Sequence, residues 1–140
     1  MKIAKQLMVI LLLVAALSIT ATVVIVAIFF DPLWENRVHT YLLAVTLPLM
    51  QTVLALSSYF NLIKTIRNNC FYSALSFFLL PVLWLLWFLW ELTEYGKDLS
   101  CNNFLDKMLP LLIINAPFFI SLALGFLWFR KIIQKEYNEA

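Results

Sequence analysis

The chain has 140 residues, 64% of them hydrophobic and only 13% charged, with a net charge of +2. Soluble domains carry about 25% charged residues, so a soluble fold is excluded. The ten basic residues are scattered along the chain. They form no nucleic-acid footprint, and what lies outside the apolar runs is too short for a separate soluble domain.

Four runs contain no Asp, Glu, Lys or Arg: Leu7–Phe30, Val38–Ile63, Cys70–Trp90 and Leu109–Phe129. A spanning helix needs roughly 20 mostly apolar residues, and each run meets that length. The expectation is one all-α domain over 1–140, a polytopic membrane protein built as a four-transmembrane-helix bundle.

The first run follows Lys2 and Lys5, and Ala16-Leu17-Ser18 resembles a signal cleavage site. The run continues well past the usual signal-peptide core of about 7–15 residues, which indicates an uncleaved anchor. Ser18 and Thr22 are four apart and share a face, where small hydroxyl residues permit close helix approach. Asp31-Pro32 ends the span, since proline cannot continue the hydrogen-bond ladder.

The second run is the most polar. Thr40, Gln51, Ser58, Asn61 and Thr65 fall within about 80° of one another at 100° per residue. Gln51 lies near the middle of its run, where an amide facing lipid is costly, so it should face the bundle. The stripe reads either as a path or ligand surface, or as interhelical hydrogen bonding worth about 0.6–2 kcal/mol per bond. His39, the single histidine, sits at the outer end of this run. It reads as a pH-sensitive contact for Glu91 or Glu94, or as an interfacial anchor. One histidine cannot supply bis-His haem ligation, and a zinc site from His39, Glu91 and Glu94 has only a weak signal because the spacing is generic. No metal or cofactor is therefore expected. Lys64–Asn69 should be a tight turn into the third run.

On the third run, Ser73, Ser76, Leu80, Trp84, Trp87, Glu91, Glu94 and Asp98 share one face if the helix runs on. The carboxylates at 91, 94 and 98 then form an acidic ridge above two tryptophans, suited to a cation or a basic partner segment. Alternatively they are a solvated helix end, and Gly96 weakens the continuation. The longest outer connection is expected at Glu91–Met108. In the fourth run, Pro110 falls in the first turn, where it costs little. Pro48, Pro81 and Pro117 are interior and should kink their helices. Asn115 beside Pro117 either lines a shallow outward pocket or caps carbonyls freed by the kink. With only Gly96 and Gly125 in the chain, no G-x-x-x-G face exists. Cys70 and Cys101 fall on opposite sides of the membrane and cannot pair within one chain.

Charge sets the orientation. Lys2, Lys5, Lys64, Arg67, Arg130, Lys131 and Lys135 share one side, against Arg37, Lys97 and Lys107 on the other. This bias predicts an N-in/C-in topology with both termini cytoplasmic. Asp31, Glu35, Glu91, Glu94, Asp98 and Asp106 lie outside.

Ion-coupled transporters hold ionisable residues inside the lipid, and none falls in these runs. Nucleophile-elbow, H-E-x-x-H and phosphate-loop motifs are missing as well. The reading is a small non-enzymatic protein that binds another membrane protein, as an accessory subunit or of the toxin-immunity type. Trp84, Trp87, Glu91, Glu94 and Asp98 are the candidate contacts. The alternative is a small oligomeric transporter or lipid-handling protein with a polar path through Gln51, Ser58, Asn61 and Asn115. Expected partners are membrane lipids and a membrane protein or second copy, with no nucleic acid. Composition suggests an AT-rich bacterial genome and hence a bacterial inner membrane.

Overall fold

The computed structural model describes residues 2–29, 34–94 and 101–138. Among them there is helix and no strand. The elements are α1 (Lys2–Phe29), α2 (Trp34–Leu54), a 3₁₀ segment (Ala55–Leu62), α3 (Lys64–Asn68), α4 (Cys70–Glu94) and α5 (Cys101–Asn138). Helix is the outcome physics requires here, because it satisfies every backbone polar group within its own segment where water is absent. Three stretches are long and apolar enough to cross a membrane: Ile3–Ile28, Cys70–Glu91 and Leu112–Lys135. The chain is thus an integral membrane protein. α2 does not meet that standard alone, since it starts in Glu35 and Arg37 and its α-winding stops at Leu54.

The second run therefore departs from expectation. It is not one α-helix but α2 followed by eight residues of 3₁₀ helix. The physical consequence lies in the period. At three residues per turn, side chains three apart eclipse, so Ala55, Ser58 and Asn61 line up and are all fully buried. At 100° per residue the same three would spread over 120°, with Ala55 and Asn61 on either side of Ser58. The segment ends at Ile63, whose backbone is extended (φ −74°, ψ 119°). The expected tight turn is the short helix α3. Asn69 (φ −93°, ψ 119°) then caps α4, its Oδ1 accepting from the backbone N–H of Phe71 (2.9 Å) and Tyr72 (3.3 Å). This is N-capping of the ordinary kind, which satisfies two donors a helix start leaves free.

The expected long outer connection is also shorter. Residues 91–94 belong to α4 and 101–108 to α5; Asp31-Pro32, Gly96, Lys97 and Asp98 lie outside the described residues. Both helices run past their apolar stretches because helix continues to satisfy the backbone as the chain leaves the lipid.

α1 is the centre of the bundle. It packs along α5 and α2, while the 3₁₀ segment packs against α4. The core is formed by Leu7, Ile10, Leu11, Val14, Ala55, Phe77, Phe118, Leu122, Phe129 and Ile133. Phe77 of α4 meets Phe126 and Phe129 of α5 at 5.4 and 5.6 Å between ring centroids, near the preferred offset and edge arrangements. α1 and α5 run antiparallel and close. A Cβ on Gly125 would lie 2.9 Å from the Cγ2 atoms of both Ile10 and Val14. Ser121 and Gly125 on α5 are four apart and buried, as are Ser18 and Thr22 on α1. Small residues at this spacing let two backbones approach without a G-x-x-x-G pair.

At one end of the bundle, Arg130 Nη1 donates to the Arg67 carbonyl at 2.7 Å. It thereby neutralises the negative end of α3, where a cation is favoured. That contact, with the antiparallel pairing of α1 and α5, gathers Lys5, Lys64, Arg67, Arg130 and Lys131 at one end of the molecule.

Candidate functional site

A polar seam runs through the bundle in two levels. At the first, Gln51 of α2 and Asn115 of α5 are 0% and 2% exposed, and Gln51 Nε2 donates to Asn115 Oδ1 at 2.6 Å. Beside them Thr22 of α1 donates to the Ile114 carbonyl at 3.3 Å. Ile114 neighbours Ile113, whose carbonyl loses its helical partner to Pro117. One level thus ties three helices together.

The second level lies about 12 Å further along the axis, at 1.5 Å per α-helical and 2.0 Å per 3₁₀ residue. Here Ser57 Oγ donates to the Ser76 carbonyl at 2.6 Å. Asn61 Nδ2 reaches both the Ser58 carbonyl (2.9 Å) and Ser76 Oγ, and Ser76 Oγ donates to the Ser73 carbonyl at 2.7 Å. Asn61 thus ties the 3₁₀ segment to α4. Four buried atoms of the seam have no hydrogen-bond partner: Gln51 Oε1, Ser58 Oγ, Asn61 Oδ1 and Ser73 Oγ.

Chemically the seam is made of amides and hydroxyls. It can donate and accept hydrogen bonds, but it contains no group that titrates near neutral pH and no base to activate a hydroxyl. Among the described residues, no three of His, Cys, Asp and Glu come together to hold a metal ion.

The structure redraws the stripe expected on the second run. Gln51, Ser58 and Asn61 face the core, whereas Thr65 is exposed on α3, because the backbone turns at Ile63. The side chains of Thr40 and His39 lie outside the described part of α2. Asn115 turns inward and accepts from Gln51. The pairing of these two amides was missed, although the signal existed. Each is an amide near the middle of its run, and such a group must find another polar group.

The face expected on α4 divides. Ser73 is fully buried against the 3₁₀ segment, while Leu80 and Trp87 are exposed. Trp84 is half-buried and stacks on Phe88, four residues on, with centroids 5.5 Å apart and planes 13° from parallel. Trp87 is 56% exposed, and Glu91 is half-buried at the same end. The Glu94 side chain and Asp98 are outside the described residues. Among the described residues, the apolar stretch of α4 is the least covered of the three that are long enough to cross a membrane, with 17% buried against 33% in α1 and 39% in α5. Its outward surface includes Phe71, Tyr72, Leu83, Leu86, Trp87 and Trp90.

Comparison with protein-family models, curated proteins and solved structures finds no match.

Proposed function

We propose that this chain is a non-enzymatic membrane protein that binds another membrane protein through the outward face of α4. In this reading α2 and the 3₁₀ segment together form a fourth span. Both termini are cytoplasmic, and the membrane is a bacterial inner membrane. The observation that carries the reading is the contrast between the two surfaces. The polar groups of the second and fourth spans turn inward, and α4 is left largely uncovered with Trp87 and Trp90 outward. Trp87 and Trp90 lie in the last turns of the stretch that ends at Glu91, where tryptophan suits the membrane interface, and such rigid aromatic side chains also dominate protein contacts. An accessory subunit and a toxin-immunity protein are two forms of this role.

A photo-crosslinking residue placed at Trp87 tests it, with Leu17 on α1, 57% exposed, as the control. A single crosslinked protein from position 87 and none from position 17 is expected. Equal crosslinking from both positions, or only lipid adducts from both, rejects the reading.

The unpartnered buried oxygens of Gln51, Ser58, Asn61 and Ser73 favour a second reading. In it the chain is a small oligomeric transporter or lipid-handling protein whose path follows the seam. The substitution Gln51→Leu separates the two. It leaves crosslinking at position 87 intact in a partner-binding protein and abolishes activity in a transporter.

A further inference from the structure

At the basic end of the bundle a crevice of about 250 Å³ opens between α1 and α5, lined by Lys5, Gln6, Val9, Ile10, Trp128 and Ile132. Lys5 and Val9 are one helical turn apart, as are Trp128 and Ile132. The crevice therefore follows the helix seam for about 6 Å. Its character changes along that length. Lys5 lines the crevice and is exposed. The Gln6 amide lies beside it, with an oxygen that accepts no hydrogen bond within the protein. Along the crevice the apolar wall is Ile10, which is buried, with half-buried Ile132 and exposed Val9. Trp128 is 47% exposed, and its indole carries an N–H donor on an apolar ring.

We infer that this crevice is a binding site for an anionic phospholipid whose headgroup carries hydroxyl groups, of the phosphatidylglycerol type. Each part of such a lipid meets a matching group. The phosphodiester takes the Lys5 ammonium. The headgroup hydroxyl donates to the Gln6 amide oxygen, which a turn of the soft terminal torsion brings to the crevice. The Trp128 N–H suits an ester carbonyl at the membrane interface, and the first methylenes cover Val9, Ile10 and Ile132. The volume is below that of pockets that enclose a whole ligand. It fits a headgroup and glycerol whose chains remain in the bilayer. Charge argues for the anionic class, since Lys64, Arg67, Arg130 and Lys131 gather at the same end and basic clusters there attract anionic lipid. A zwitterionic lipid gains nothing from that field. The inference rests on membrane insertion and not on the partner-binding reading.

Native mass spectrometry of the full chain in detergent, titrated with single lipids, tests the site. Dioleoyl phosphatidylglycerol is expected to give one retained adduct. Phosphatidylmethanol has the same charge without a hydroxyl, and should be retained about fivefold less, the worth of one neutral hydrogen bond. Phosphatidylcholine should not be retained. Lys5→Met should weaken the phosphatidylglycerol adduct by about fivefold or more, and Gln6→Leu should erase the preference over phosphatidylmethanol. Lys64→Met, exposed at the same end but outside the crevice, should weaken the adduct less than Lys5→Met does and leave the preference over phosphatidylmethanol unchanged. Equal retention of phosphatidylcholine overturns the inference, as does a Lys64→Met effect equal to that of Lys5→Met, or displacement of the adduct by soluble glycerol 3-phosphate.

Discussion

The Gln51–Asn115 bond makes the strongest energetic prediction. The donor–acceptor distance is 2.6 Å and both residues are inaccessible, so neither amide can exchange its partner for water. Gln51→Leu preserves side-chain bulk and removes the donor. Side-chain hydrogen bonds in membrane bundles average about 0.6 kcal/mol and reach about 1.7. The Asn115 oxygen left behind adds part of a desolvation cost of about 1–3 kcal/mol. One term acts in the opposite direction, because Leu also removes the unpartnered Oε1 of Gln51. The net cost of Gln51→Leu should be about 1–2 kcal/mol, and Asn115→Leu should cost a similar amount. The double variant should cost about 1 kcal/mol less than the sum, since the Gln51–Asn115 bond is lost only once. The assay is reversible unfolding in mixed micelles by increasing SDS, followed by helical circular dichroism. If the double variant equals the sum to within about 0.3 kcal/mol, the amides do not act as a pair and the seam is not a clamp.

Other outcomes follow from packing and topology. Gly125→Ala pushes a methyl against Ile10 and Val14, whose branched side chains are stiff in a helix. An overpacking cost of about 1–3 kcal/mol exceeds the gain of about 1 kcal/mol in helix propensity, so the same unfolding assay should show a loss. Phe77→Ala, at the centre of the phenylalanine cluster, should cost about 3 kcal/mol; a loss under 1 kcal/mol would mean α4 is not held by those rings. Cys70 is exposed at the basic end. In a Cys101→Ser background it should react with a membrane-impermeant maleimide only after the membrane is opened, and labelling of intact cells would reverse the proposed orientation. Asn61→Leu should release the 3₁₀ segment from α4, seen as faster amide exchange in 55–62 with little change in α1.

Much of this protein is legible without coordinates because its leading signals are local. An uncharged run of 21 or more residues specifies a helix whatever its neighbours do, since lipid leaves the backbone no other partner. The inward direction of Gln51 follows from desolvation alone. What the linear chain does not contain is the register between helices. That Gln51 meets Asn115, that Gly125 sits against Ile10 and Val14, and that Trp87 looks outward all depend on how antiparallel helices slide and rotate against each other. The same holds for the 3₁₀ winding of Ala55–Leu62. Composition favours neither winding decisively. In the fold, Ser57 and Asn61 of this segment both meet Ser76 on a separate helix. Sequence determined which segments are helical and which side chains avoid lipid. Only the tertiary structure decided which polar group answers which, because that answer is a distance between segments more than 60 residues apart, joining Gln51 to Asn115 and Arg130 to Arg67.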